Sequence, residues 1–318
     1  MGIRYLNKYI RDYCPTSMAC ISLSELSGKK IAVDISIYLY KYESENMLLE
    51  NMYLMLSVLR EYNIIPIFVF DGKSPLEKKQ LVQKRQEQRL EAEQEYKLLQ
   101  QKLKESTSDE DKADIMDTID QVKRKIVYIT KEKINNVKML IELYGANYID
   151  APGEADELCA LLVKQHKVWA CLSEDMDMFV YGCSKILRYF SLINHTAVLY
   201  SMKYILQELQ LTQQEFREIC IISGTDYNTN IDENINLINA MHYFYKYKEK
   251  NKEKKDIHFY QWLKENTNYD VDIHILEKIN LMFDVNFLDN TEDIQITNRQ
   301  IQYDELKNHM YEEGFIFM

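Results

Sequence analysis

Residues 29–40 read KKIAVDISIYLY, and the apolar core of this run is short, β-branched and closed by a single acid, Asp34. A continuous apolar run of this length suits a strand buried on both faces, as in a parallel α/β sheet. Thirty residues on, NIIPIFVFDGKSP gives a second such strand over Ile64–Phe70, ending in Asp71 and Gly72. Between them, residues 46–62 carry Met47, Leu48, Leu54, Met55, Val58 and Leu59 at helical spacing. Strand, helix, strand is the parallel crossover unit, and in such sheets ligands bind beyond the carboxyl ends of the strands. Both strands deliver a carboxylate there.

The alternation resumes further along. NYIDAPGEADELCALLV reads as a strand, a loop with Pro152 and Gly153, and a helix beginning near Glu154. KVWACLSEDMDMFVYG reads as another strand, ending in Glu174, Asp175, Met176 and Asp177. A hairpin-like region follows, then one or two helices over 203–223 that end in ISGTDY with Asp226. A lone acid at a loop edge is ordinarily solvated or caps a helix. Here Asp34, Asp71, Glu154, Asp156, Asp175, Asp177 and Asp226 all stand at element ends, several behind strands that share one sheet. Crowded like charges need a neutralising cation. An all-oxygen cluster without nearby His selects Mg²⁺ or Mn²⁺ over Zn²⁺. Paired divalent ions on carboxylates suit phosphodiester hydrolysis.

From Leu76 to Leu143 there is no Pro or Gly, and the charge changes sign along the way. Residues 73–104 hold 9 bases and 5 acids, 105–120 hold 1 base and 7 acids, and 121–133 hold 5 bases and 1 acid. Two basic helices joined by an acidic tip is the economical reading; a solvated hairpin without a partner is the plain alternative. These shifts divide the chain into 1–104, 105–137, 138–245 and 246–318, the last a basic run followed by an acidic region.

Composition bounds the rest. The 318 residues include 8 Gly and 4 Pro, which excludes collagen-like and Gly/Pro-rich disordered chains, and 46% hydrophobic with 28% charged residues is globular. The opening MGIRYLNKYIRDYC has no apolar signal core, and no apolar run reaches the ~18 residues of a membrane span. The six cysteines form no C-x-x-C pair, so reduced thiols and an intracellular setting, nucleus or cytoplasm, are expected. The net charge of −11 argues against a surface coated in nucleic acid, yet the bases concentrate on residues 73–104 and 121–133 and on residues 246–255, which hold 6 Lys and 2 Glu.

Taken in order, these segments resemble the flap endonuclease family, the XPG-type structure-specific 5′ nucleases. MGIRYL is similar to the family's MGI start, IAVDISIYLY to its first-aspartate strand and FVFDGKSPLEKK to its second. APGEADELCALLV resembles the A-P-x-E-A-E block, SEDMDMFVYG the E-D-M-D block and IISGTDY the G-x-D-Y block. The resemblance implies an α/β fold, a mostly parallel twisted sheet flanked by helices (the PIN-like 5′ nuclease fold), with residues 75–143 as a helical arch. It makes 1–104 the N-terminal nuclease region with the first arch helix, 105–137 the arch tip and second arch helix, and 138–245 an internal nuclease region ending in a degenerate helix-two-turn-helix. It implies a two-metal 5′ nuclease acting on DNA with a 5′ flap, nick, gap or junction, in replication, repair or recombination. Mg²⁺ would be the ion, two per site, with Mn²⁺ able to substitute.

By the same resemblance Asp34, Asp71, Glu154, Asp156, Asp175, Asp177 and Asp226 are the metal ligands. Asp156 departs from the family's Glu and is one methylene shorter. Lys78, Arg85 and Asp175 are the catalytic positions, Lys78 and Arg85 falling seven and fourteen residues after Asp71. Gly2, Tyr40, Lys78, Arg85, Lys123, Arg124 and Lys125 are the expected nucleic-acid contacts. Tyr40 would stack on a base, although Tyr38 and Tyr42 flank it at strand spacing, which leaves a core role open. Lys123, Arg124 and Lys125 match the basic start of the second arch helix. RNA-directed 5′–3′ exonuclease activity and a non-catalytic XPG-like scaffold are the alternatives.

After G-x-D-Y the family continues into a helix-two-turn-helix module whose glycine-rich hairpin holds K⁺. This chain reads NTNIDENINLINAMHYFYKYKEK, with no glycine between Gly224 and Gly314. A degenerate module without the K⁺ site is expected. Lys246, Lys248, Lys250, Lys252, Lys254 and Lys255 are candidates for replacement phosphate contacts, or form a solvated run. The segment NRQIQYDELKNHMYEEGFIFM carries no clear sliding-clamp box. The Ile/Asn/Lys/Tyr-rich usage and the altered module resemble divergent flap-endonuclease-like proteins of large DNA viruses.

Overall fold

A computed structural model of the chain describes residues 2–105, 109–228, 236–250, 258–269, 272–285, 294 and 296–315. In chain order the elements are α1 (Leu6–Tyr13), β1 (Met18–Ser22), β2 (Lys30–Asp34), α2 (Ser36–Ser44), α3 (Leu48–Glu61), β3 (Ile65–Phe70), α4 (Lys79–Glu105), α5 (Asp109–Ile126) and α6 (Lys131–Leu143). They continue as β4 (Asn147–Asp150), α7 (Ala155–Lys164), β5 (Ala170–Leu172), α8 (Asp177–Val180), β6 (Lys185–Ser191), β7 (Thr196–Ser201), α9 (Met202–Leu209) and α10 (Gln213–Ile222). The last are α11 (Leu237–Lys250), α12 (Phe259–Asn266), α13 (Ile273–Met282) and α14 (Tyr303–Glu312). Among the described residues, no helix is long and apolar enough to cross a membrane. All six cysteines are free, and all but Cys20 are buried.

The chain forms two compact units, each discontinuous in sequence. One comprises Met1–Ile35, Val58–Lys73 and Asn147–Asn298, and it holds the whole sheet. Strand order is β1-β7-β6-β5-β2-β3-β4. The pairs β6–β5, β5–β2, β2–β3 and β3–β4 are parallel, while β6–β7 and β7–β1 are antiparallel. The mixed sheet thus has a parallel centre and an antiparallel edge. Central strands covered on both faces need apolar residues throughout, and Ile31, Ala32 and Val33 in β2 and Ile67, Phe68 and Val69 in β3 are at most 1% exposed. Pro66 lacks an N–H to donate, and it precedes Ile67, where pairing with β4 begins.

The strand order has one decisive consequence. From β2 the chain adds β3 and β4 on one side, then returns to add β5 and β6 on the other. The strand order therefore reverses between β2 and β5, and in open α/β sheets ligands bind beyond the carboxyl ends of the pair at that point.

The second unit comprises Ser36–Ser57, Ser74–Ala146 and Arg299–Met318. Here the structure corrects several sequence readings. Residues 36–44 are helical rather than extended, so Tyr38, Tyr40 and Tyr42 follow the 3.6-residue period. Tyr38 and Tyr42 share the buried face with ring centroids 6.0 Å apart, and Tyr40 points away, 51% exposed. Most of the acidic stretch read as a tip belongs to α5, whose Ile119 and Val122 are buried at helical spacing. Lys123 and Lys125 lie not at the start of α5 but in its last turn, where cations interact favourably with the helix dipole. Arg89 pairs with Glu93 one turn on and sits over the Tyr128 ring at 5.1 Å.

Candidate active site

Every carboxylate singled out from the sequence belongs to the sheet-containing unit. Asp34 ends β2 and is 8% exposed. Its Oδ2 accepts a 2.8 Å hydrogen bond from Ser173 Oγ, so one hydroxyl bridges β2 and the turn after β5 across the point where the strand order reverses. The same Oγ accepts the Asp175 N–H at 3.1 Å. Asp175 Oδ1 in turn accepts the Asp177 N–H at 3.0 Å, which fixes the start of the one-turn α8. Asp156 stands in the first turn of α7, and its Oδ1 accepts the Glu157 N–H at 2.7 Å.

These bonds converge three acids. Asp156, Asp175 and Asp177 each offer an oxygen, all within 4.8 Å of one another. Asp156 and Asp177 are buried, and both Asp177 oxygens are out of contact with solvent. Two full charges at 4.8 Å repel by about 3.5 kcal/mol at an effective dielectric of about 20. Three such pairs weigh against the fold by about 10 kcal/mol when all are ionised. A divalent cation among them reverses the sign. The donor set is entirely carboxylate oxygen, which fits a hard divalent ion.

Asp71 and Glu154 meet at the start of α7. Asp71, exposed beyond β3, accepts the Ala155 N–H on Oδ1 at 2.8 Å and so caps a helix whose own N-cap residue, Glu154, makes no side-chain cap. Gly72 N–H donates to the Gly153 carbonyl at 2.8 Å. A Cβ at Gly72 would lie 2.0 Å from the Ala151 oxygen, so only glycine permits this approach. Glu154 Oε2 accepts from the Tyr227 hydroxyl at 2.7 Å. Burial first, then the Glu154 and Asp156 carboxylates, push the Tyr227 phenol well up, so it remains a neutral donor. Burial and then Glu154 also raise Glu157. Asp226 is half-buried beside Tyr227, in a turn braced by Asn228 Oδ1 accepting from Thr225 N and Oγ1, both at 2.6 Å.

Gly2 approaches the same acids. With φ +74, a Cβ there would stand 2.6 Å from both Asp175 Oδ1 and Asp177 Oδ1. The backbone of residue 2 therefore packs directly on two of the three convergent carboxylates.

The sequence-predicted bases and the aromatic belong to the other unit. Lys78 closes a short 3₁₀ turn (Leu76–Lys78) ahead of α4 and is buried, whereas Arg85 is exposed within α4, so the two differ in burial despite their seven-residue spacing. Lys123 and Lys125 are exposed. The side chain of Arg124, residues 229–235 of the expected hairpin, and Lys252, Lys254 and Lys255 fall outside the described residues. Lys246, Lys248 and Lys250 lie on α11, where Lys248 Nζ donates to the Gln210 carbonyl at 2.9 Å and pairs with Glu215.

Sequence reading missed Ser173, Tyr227 as a hydroxyl donor to Glu154, and Arg188. Ser173 directly precedes E-D-M-D, and Arg188 is the one cation between apolar residues in KILRYFS; both were visible without being interpretable.

The XPG N-terminal domain model matches residues 1–92 and the XPG I-region model residues 145–226. Flap endonuclease 1 of Drosophila mojavensis is 36% identical over 249 residues, covering 73% of this chain and 61% of the relative. Flap endonuclease 1 of Homo sapiens is 32% identical over 250 residues, covering 73% of this chain and 63% of the relative. The chain thus spans less than two thirds of the length of these relatives. In fold, it is similar to the catalytic core of Rad2 (TM-score 0.68, 19% identity, 98% of this chain and 95% of that one). It is also similar to flap endonuclease-1 from Methanococcus jannaschii (TM-score 0.65, 22% identity, 98% and 93%). With both XPG regions matched in order and the acids of each at the carboxyl edge of one sheet, the chain belongs to the XPG-type flap endonuclease family.

Proposed function

We propose that this chain is a metal-dependent, structure-specific 5′ nuclease that hydrolyses DNA phosphodiesters at 5′ flaps or 5′ ends near single-strand/duplex junctions, in replication, repair or recombination. The observation that carries the reading is the convergence of Asp156, Asp175 and Asp177 within 4.8 Å, beyond the carboxyl ends of the parallel strands. Relatives named as flap endonucleases support it, as do fold neighbours described in complex with DNA substrate.

Asp34, Asp71, Glu154, Asp156, Asp175, Asp177 and Asp226 would hold the ions, Mg²⁺ by preference and two per site. When bound, such ions supply water activation and stabilisation of the attacking and leaving oxygens. Ser173 fixes the orientation of Asp34 and the Asp175 backbone, and Tyr227 holds one Glu154 oxygen. Gly2 keeps the N-terminal backbone against Asp175 and Asp177, where a side chain would displace them. Lys78 and Arg85 would contact the scissile phosphate, and Tyr40, presented outward on α2, would stack on a neighbouring base. Lys123, Arg124 and Lys125 would meet phosphates of the single strand.

The test is a panel of DNA substrates (flap, nick, gap, blunt duplex, bubble, four-way junction) and a matched RNA flap, with Mg²⁺ and cut sites mapped to the nucleotide. Cleavage of the 5′-flap DNA near its junction supports the reading. Equal or faster cleavage of the RNA flap overturns the DNA assignment.

A further inference from the structure

Arg188 lies in β6, 6% exposed, and both terminal nitrogens of its guanidinium are hydrogen-bonded. Nη1 donates to Asn7 Oδ1 and approaches Met176 Sδ, each at 2.9 Å. Nη2 donates to the Glu174 carbonyl at 3.0 Å, and Nε stands 3.4 Å from Glu174 Oε2. Glu174 Oε1 also accepts the N–H of Tyr189, a non-glycine residue at φ 54 inside the bulge between Arg188 and Ser191. Asn7 returns the connection: its Oδ1 accepts from Tyr200 Oη at 2.9 Å and its Nδ2 donates to Tyr189 Oη at 2.6 Å.

Two backbone segments meet in this one cation. The first is the Glu174–Asp177 turn, which carries Asp175 and Asp177. The second is α1, which begins four residues after Gly2, the residue packed on those same carboxylates. A bulge with a left-handed tyrosine is a costly device for a strand, and here it delivers an N–H to the other oxygen of Glu174. Glu174, although part of E-D-M-D, is thereby turned to Arg188 and not to the convergent acids.

We infer that Arg188 is a positioning residue for divalent-ion binding: through Glu174, Met176 and Asn7 it sets the turn and the N-terminal segment so that Asp175 and Asp177 converge. The inference rests on the proposed ion-binding role of the Asp156, Asp175 and Asp177 group. Two physical effects of Arg188 have opposite signs, which makes the question decidable. Its positive charge opposes a cation nearby, so a purely electrostatic role predicts tighter ion binding once the charge is removed. Positioning predicts weaker binding even when the charge is kept, because lysine cannot reproduce the guanidinium fork.

The experiment is Mn²⁺ titration of the full chain by calorimetry, with circular dichroism and melting of the ion-free protein alongside, for wild type, Arg188→Lys, Arg188→Met and Asn7→Ala. Losing the partners that orient metal ligands costs roughly 10–100-fold in ion affinity. Arg188→Lys and Arg188→Met should raise the Mn²⁺ Kd by about that factor. Asn7→Ala should raise it by a smaller factor in the same direction. An Arg188→Lys protein with native circular dichroism and an unchanged or tighter Kd overturns the inference, including the case where only its ion-free melting temperature falls. If neither Arg188 variant folds, an unchanged Kd for Asn7→Ala overturns it. Wild type that fails to bind Mn²⁺, or binds it equally well as Asp177→Asn, overturns the ion-site reading itself.

Discussion

Gly72→Ala is the smallest change that reaches the ion-binding edge through backbone alone. The added methyl would lie 2.0 Å from the Ala151 oxygen and 3.0 Å from those of Pro152 and Gly153. An ordinary carbon–oxygen contact is about 3.3 Å, so the Asp71–Gly72 strand end and the 151–153 loop must separate by more than about 1 Å. No flexible side chain is available to yield, since all three obstacles are main-chain carbonyls. The separation breaks the 2.8 Å Gly72–Gly153 bond and pulls Asp71 from the Ala155 N–H that it caps at 2.8 Å. Overpacking, one lost hydrogen bond and one lost cap together cost about 3–5 kcal/mol. For a unit of this size that lowers Tm by roughly 6–20 °C. Ion affinity should fall as well, by at least about tenfold, because Asp71 and Glu154 move with the two segments. Gly153→Ala is the control: its Cβ would meet only the Glu157 Oε2 end at 3.1 Å, which can swing aside. Thermal denaturation and Mn²⁺ calorimetry of both variants decide the matter. A Gly72→Ala protein that melts with wild type, or a Gly153→Ala protein equally destabilised, refutes the reasoning.

The remaining predictions are briefer. Asp177→Asn removes one of three mutually repelling charges, two of them buried, so in chelator it should melt above wild type while losing stabilisation by Mg²⁺; a lower Tm in chelator contradicts the repulsion argument. Lys78→Ala or Arg85→Ala should slow single-turnover cleavage by orders of magnitude with substrate binding nearly intact, and near-wild-type rates remove either residue from the mechanism. Burial raises the Glu218 carboxyl, with His258 at 3.4 Å lowering it in part. A folded-state pKa above the unfolded one means the native state holds more protons in that window, so stability falls as pH rises through it. Glu218→Gln should therefore gain on wild type in Tm between pH 4 and pH 8, and a constant gap refutes this. With the expected hairpin glycines missing from the sequence, cleavage should depend little on K⁺ versus Na⁺ at equal ionic strength; a strong K⁺ preference contradicts that reading.

The sheet was legible because strands buried on both faces must be continuously apolar, and in KIAVD and IPIFVF the acid that ends or follows the run marks the strand end. The helical hairpin was legible from its want of Pro and Gly. Local periodicity failed where two periods fit: tyrosines at i, i+2 and i+4 satisfy a strand, but in α2 the first and third share a helical face. Acidity suggested a tip at 105–120, yet its end is helical, with Ile119 buried there and Val122 buried one turn on. Ser173 and Arg188 could not be interpreted from local pattern. The bonds Ser173–Asp34 and Arg188–Asn7 span 139 and 181 positions, and only the folded strand order brings these partners together.

The central claim is that the convergent carboxylates cut DNA at a 5′ flap junction. The most direct measurement is single-turnover cleavage of a 5′-flap DNA with Mg²⁺ by wild type and by Asp175→Ala, with flap binding measured in parallel. The account predicts junction-proximal cleavage by wild type, none by Asp175→Ala, and similar binding by both. Wild-type turnover in Asp175→Ala, or a folded wild type that binds Mg²⁺ and the flap without cutting it, would contradict the account.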